Sequence, residues 1–149
     1  MGVKVLSARE IYKVLEGVVD ASTQAAERAV SLTVRAIYQQ ETPGRIDFDG
    51  RHYAIGERTE LERQRQSDGR EWWILDPGDY LVEHNERVFV PKGAVALVRP
   101  HERVLVNGVE HGTLVLAPGE ALPILPLRVA ARGARIERNA RLSTLILLD

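Results

Sequence analysis

Between Arg99 and His111 the chain gathers its densest set of groups capable of chemistry: Arg99, His101, Glu102, Arg103, Asn107, Glu110 and His111. Two arginines four positions apart could grip phosphate oxygens, because the guanidinium fork matches an oxyanion with paired donors. His101 and Asn107 fall within the same binding group. Glu110 or His111 could take a proton from an attacking water. The same residues also read as a hairpin end whose charges pair with one another or across a subunit interface, since solvated charged turns are common. A phosphate clamp and a charged turn are thus the two readings of this segment.

Two other constellations are weaker. Asp76, Asp79, Glu83, His84 and Glu86 are potential metal ligands, but they straddle a Pro-Gly turn and lack a cage spacing such as His-x-His. No metal site is expected from them. Trp72 and Trp73 could stack on a base, yet adjacent strand residues face opposite sides, so at most one meets a given ligand. The other is expected in the core or at an interface. His52 and His84 stand singly at turns and read as surface histidines.

The elements that must position these groups are mostly short strands. Ser7 and Glu10 form a capping-box pair ahead of Ile11, Val14, Leu15 and Val18 at helical spacing, with Gly17 weakening the end. Residues 19–28 are small and polar and read as a loop or second short turn. From Val30 the period changes to two, predicting a half-buried strand. Residues 46–55 read as a hairpin about Asp49-Gly50. Residues 57–71 are almost wholly polar and predict a solvated hairpin tip or short exposed helix. From Trp72 onward apolar runs alternate with Pro and Gly, and Leu145–Leu148 is an apolar strand. This pattern predicts one domain over 1–149: a short helix leading into a mainly β sandwich or barrel of jelly-roll character.

Composition narrows the function classes. Charged residues make up 28% of 149 positions and the net charge is −1, so no polybasic field points to nucleic acid. The absence of cysteine removes disulfides, thiolate metal sites and a cysteine nucleophile together. No signal peptide is read at the N-terminus, and no apolar run approaches the ~20 residues of a membrane span. A cytoplasmic protein with no membrane partner is expected.

The order of the pieces resembles the trimeric dUTPase and dCTP deaminase superfamily. Val5-Leu6-Ser7-Ala8-Arg9-Glu10-Ile11 is similar to the Ile-Leu-Ser-Asp-Arg-Asp-Ile opening of dCTP deaminases and archaeal dUTPases. Ala29-Val30-Ser31-Leu32-Thr33-Val34 resembles the motif Gly-Val-Asp-Leu-Arg-Leu. Leu75-Asp76-Pro77-Gly78-Asp79-Tyr80-Leu81-Val82 resembles Leu-x-Pro-Gly-Glu-Phe-Val-Leu, continued by Val88-Phe89-Val90-Pro91. Arg99 falls where an Arg-Ser-Ser motif begins, and Val115-Leu116-Ala117-Pro118-Gly119 where the family writes Trp-Ile-Asp-Pro-Gly. Ala140-Arg141-Leu142-Ser143-Thr144-Leu145 is similar to Met-Arg-Ile-Ala-Gln-Leu.

The resemblance implies a threefold trimer with sites between subunits. It also implies phosphate held by Ser and Arg, a carboxylate to activate water, and Mg²⁺ on a triphosphate. At those positions this chain departs. Ser31 replaces the Asp of the first motif, Pro100 and His101 the two serines, and Ala117 the Asp before Pro-Gly. The dCTP deaminase-type glutamate belongs to a stretch that here reads Leu122-Pro123-Ile124-Leu125-Pro126-Leu127, with no acid. No Gly-rich arm of the dUTPase kind is seen up to Asp149.

The expectation is a carboxylate-free crevice in a catalytically degenerate homotrimer. Such a protein would bind a deoxynucleoside triphosphate through Arg99, His101, Arg103 and Asn107, or serve as a structural assembly. The alternatives are an active dUTP pyrophosphohydrolase with rearranged residues, Glu110 or His111 as base and Mg²⁺ as cofactor, or a partner-binding adaptor trimer. The apolar run Ala121–Ala130 is expected to bury against a neighbouring subunit.

Overall fold

Ser7 opens the first element as the sequence requires. Its hydroxyl accepts from the Glu10 amide, and the Glu10 carboxylate accepts from the Ser7 amide at 3.2 Å. The computed structural model describes residues 2–149. In chain order the elements are α1 (Ala8–Tyr12), β1 (Leu15–Glu16), α2 (Ala21–Gln24), β2 (Val30–Gln40), β3 (Arg58–Glu60), β4 (Gln64–Arg65), β5 (Glu71–Leu75), β6 (Gly78–His84), β7 (Arg87–Val88) and β8 (Val95–Pro100). They continue with α3 (Glu102–Leu105), β9 (Val109–Glu110), β10 (Leu114–Leu116), β11 (Leu125–Val129), β12 (Ala134–Glu137) and β13 (Arg141–Leu148). Strands take up 43% of the chain and helices 9%, so the fold is mainly β.

All pairings are antiparallel. The main sheet runs β10-β8-β13-β2-β6-β11-β9, with β3 on the far end of β2. A three-stranded sheet, β12-β5-β4, and a two-stranded ribbon, β1-β7, complete the order. Two apolar clusters fill the interior. Ile11, Val30, Leu32, Val98, Leu145 and Leu147 anchor the first; Val34, Ile37, Trp73, Leu127, Ile136 and Leu142 anchor the second. Strands β2 and β13 contribute to both. A β-bulge between Arg141 and Ser143 shifts register in β13, and strand alternation sends Leu142 to one cluster and Leu145 and Leu147 to the other.

Several expectations are corrected locally. Helix α1 ends at Tyr12, because Leu15 and Glu16 instead pair with Val88 and Arg87 of β7. Residues 46–55 form no strand ladder. Only Gly50 has a positive φ, 84°, while Asp49 does not, and the type I′ turn that Asp-Gly favours needs both. The loop is closed instead by a single bridge between Arg45 and Ala54. The polar stretch 57–71 does contain a hairpin tip, between β4 and β5, but Leu61 turns inward and its carbonyl accepts from the Trp73 indole at 3.1 Å.

The Ala121–Ala130 run is not a wholly outward apolar face. Leu125, Leu127 and Val129 are buried in this chain's own core, leaving Pro126 and Arg128 exposed. Pro126 is tolerated because β9 covers β11 only at Arg128 and Val129.

Candidate functional site

Strands β5 and β12 bring their outward faces against helix α3 and the start of β13, and between them lies a cleft of about 860 Å³. Four arginines line it: Arg103 from α3, Arg132 and Arg135 around the turn into β12, and Arg141 opening β13. Asn107, Asn139 and Thr23 add neutral polar groups; Trp72, Ile74 and Val104 give an apolar wall. The turn depends on Gly133, whose φ is +71° and where an added Cβ would lie 2.5 Å from the Leu75 carbonyl oxygen. Any side chain there would push β12 off β5 and spread Arg132 from Arg135.

The electrostatics follow from this clustering. Arg103, Arg132 and Arg135 make no ion pair with any described residue, so their charge is free to meet an anion. His101 senses the field directly. Burial holds its imidazole below the usual range, and Arg141, Arg103 and Arg99 push in the same direction against Glu102. The cleft also contains two carboxylates, Asp76 and Glu137, the latter 3.9 Å from Arg70. The expectation of a carboxylate-free crevice therefore does not describe this cleft.

The residues singled out between 99 and 111 separate in three dimensions. Arg103 and Asn107 line the cleft, joined by a bond from the Asn107 side-chain amide to the Arg103 carbonyl at 2.7 Å. Arg99 is exposed on β8 opposite Thr144. His101 caps α3, its Nδ1 accepting from the Arg103 amide. Glu110 is exposed in β9 beside Arg128, in a separate depression of about 510 Å³ that it shares with Asp79 and Arg128. His111 is buried. The two candidate bases thus face different surroundings.

His111 belongs to a polar seam between the two apolar clusters. Its Nδ1 lies 2.8 Å from the Gly112 carbonyl, which can only accept, so Nδ1 carries the proton and Nε2 is left as an acceptor. Ser143 Oγ, 2.7 Å from that Nε2, therefore donates to it. His84 Nε2, also 2.7 Å from Ser143 Oγ, must then donate to the hydroxyl oxygen. The result is a directed relay from His84 through Ser143 to His111, ending with His84 Nδ1 buried and unpartnered. His84 is only 6% exposed, which corrects its reading as a surface residue. Burial, then the neighbouring His111, drives its pKa down to about 3.

Sequence reasoning missed Arg132, Arg135 and Arg141 as cleft residues. A signal was present: Arg132, Arg135, Arg138 and Arg141 recur every three positions through a segment that reads as turn and strand. Trp72 and Trp73 divide as expected, Trp73 being 1% exposed in the core and Trp72 facing the cleft.

No family model matches the chain. Among curated proteins, a probable deoxyuridine 5'-triphosphate nucleotidohydrolase of Archaeoglobus fulgidus is 30% identical over 152 aligned positions, covering 97% of this chain and 87% of the relative. The chain belongs to the dUTPase/dCTP deaminase superfamily. A probable deoxyuridine 5'-triphosphate nucleotidohydrolase of Methanococcoides burtonii is 34% identical over 107 residues, spanning 70% of this chain but 59% of its own. One of the same description from Halobacterium salinarum is 32% identical over 88 residues, spanning 52% of its own length. The match thus covers little more than half of these two relatives. Among solved structures, a 2'-deoxycytidine 5'-triphosphate deaminase from Agrobacterium tumefaciens superposes with a TM-score of 0.71 at 15% identity. That match covers 98% of this chain and 48% of that one. It establishes the shared fold, and the mainly β architecture of this dUTPase/dCTP deaminase-like protein is the one its turn pattern predicted.

Proposed function

We propose that this superfamily member is a homotrimer whose arginine-lined cleft binds a deoxynucleoside triphosphate without hydrolysing it. The observation that carries the reading is four arginines converging on one cleft beside Trp72, none of them with an ion-pair partner among the described residues. A triphosphate satisfies such a set with charge-assisted hydrogen bonds, and an indole wall suits a base. Where the family carries reactive groups this chain has Ala117, Pro100 and, on the strand expected to hold a glutamate, only Leu125 and Leu127 facing the core. A methyl group cannot orient water.

The second reading, an active pyrophosphohydrolase, draws support from Asp76 and Glu137 at the cleft. No three His, Asp or Glu side chains among the described residues cluster as a metal cage. A divalent cation such as Mg²⁺ would therefore come with the triphosphate, and these two carboxylates are the groups that could meet it. A thermal-shift series with dUTP and dCTP, run beside an assay for released pyrophosphate, separates the readings. Stabilisation without pyrophosphate supports the binder, and metal-dependent pyrophosphate release selects the hydrolase. No response to any nucleotide leaves the structural assembly or the partner-binding adaptor.

A further inference from the structure

The loop between β2 and β3 is an arm that holds several apolar side chains out in solvent. Phe48 at its tip is fully exposed and Ile46 is 95% exposed; Tyr53 and Ile55 are exposed beside them. Exposed apolar side chains gathered on one loop mark an interaction surface.

The arm is also built to hold its shape. Arg45 and Ala54 exchange both backbone hydrogen bonds, at 2.8 and 3.0 Å. The Asp47 carboxylate accepts from the His52 amide at 2.7 Å, and Asp49 from the Arg51 amide at 3.0 Å. At its base Gly56 sits against the Thr42 carbonyl, and an added Cβ would also lie 2.7 Å from Gln40 Nε2. A segment ordered before contact loses little entropy on docking.

We infer that this arm docks on a second copy of the chain, with Phe48 seated in the small cavity lined by Gln66, Trp72, Ile74 and Arg135. That cavity has a volume of about 240 Å³, enough for one aromatic side chain, and it presents the indole of Trp72 with the 44% exposed Ile74. Charge matches as well as shape. Segment 41–57 carries four carboxylates against two arginines, and two of those acids flank Phe48: Asp49, which lies 3.6 Å from Arg51, and Asp47, which makes no ion pair among the described residues. Arg135 waits in the cavity without an ion-pair partner among the described residues, beside a cleft of four arginines and two acids. A fully exposed Phe48 does not occupy its own cavity, so the contact is between copies. Such a contact closes into a ring when its rotation allows. An aromatic anchor in a pocket with charged residues around it is the usual centre of a protein interface. The idea shares a wall with the proposed nucleotide cleft but does not depend on nucleotide binding.

The absence of native cysteine makes the test direct. The double variant Phe48→Cys with Ile74→Cys, oxidised mildly, should give a ladder of covalent oligomers on a non-reducing gel, and each single variant none. Phe48→Asp, which alters no packed residue, should shift the sedimenting species from oligomer to monomer with an unchanged circular dichroism spectrum. A monomeric wild type, an oligomer that survives Phe48→Asp, or a double variant giving no more ladder than Phe48→Cys alone would each overturn the inference. Trp72, Ile74 and Arg135 line both the cavity and the cleft, so nucleotide-induced thermal shifts are measured on Phe48→Asp, which keeps every cleft residue and reports on the cleft with the arm undocked.

Discussion

His84 Nε2 and Ser143 Oγ stand 2.7 Å apart, joining residues fifty-nine positions distant in sequence across the seam between two apolar clusters. The bond itself would survive protonation of His84, whose Nε2 already donates; the added proton would instead sit on the buried, unpartnered Nδ1, and that burial sets a defined pH dependence. The unfolded chain protonates His84 near 6.5, whereas the folded chain does so only near 3. Protonation therefore favours unfolding. The contribution is fully present above pH 6.5 and is lost as pH falls toward 3. His111, held low mainly by burial, acts in the same direction. By linkage the loss for His84 is on the order of 5 kcal/mol at most, reached only below pH 3. The melting temperature should fall steadily between pH 6.5 and 4, and His84→Gln should flatten that slope; an unaltered slope would assign it to other groups.

Glu86 gives a second stability prediction with the opposite sign. Its carboxylate is 3% exposed and accepts from the Thr33 amide at 2.7 Å, the Thr33 hydroxyl at 2.6 Å and the Gln24 side chain at 2.9 Å. Burial nonetheless raises its pKa above the usual carboxylate range, outweighing those bonds. A raised folded pKa means that ionisation costs stability as pH climbs through it, so Glu86 opposes part of the acid loss from the histidines. Removing its bonds is another matter. Glu86→Leu should cost about 2–4 kcal/mol in urea unfolding, because three donors lose a buried acceptor.

The arginines of the cleft should differ in weight. Arg103→Ala and Arg135→Ala should each weaken dUTP-induced thermal stabilisation by roughly tenfold in apparent affinity, the effect of one charge-assisted bond. Arg99→Ala, on the exposed side of β8, should have the smaller effect, acting only through the local field. Equal losses at Arg99 and Arg103, read by titration calorimetry, would move the site away from the cleft.

Restoring an acid on β11 should not restore chemistry. Leu127 is 0% exposed within the second apolar cluster. Leu127→Glu should therefore destabilise by about 3–5 kcal/mol, through an unpaired buried charge, before any nucleotide turnover appears. A well-folded Leu127→Glu protein that releases pyrophosphate would show that the strand can turn this position outward.

The sequence by itself carried the ancestry and the architecture. Ser7 with Glu10, the alternation from Val30 and the Pro-Gly punctuation after Trp73 are local signals, and local signals survive because capping, pleat and turn geometry act over a few residues. The candidate site was only partly legible. Arg103 and Asn107 could be read from their chemistry, a guanidinium and an amide in one dense polar segment, and they do meet at the cleft. What lay beyond the sequence was decided by pairings between distant strands. The β12–β5 register brought Arg135 opposite Ile74, the β-bulge before Ser143 turned that hydroxyl between His84 and His111, and the missing ladder around Asp49 left Phe48 in solvent. Each depends on contacts tens of residues apart, whose energies come from burial in a common interior and leave no periodic mark on the chain.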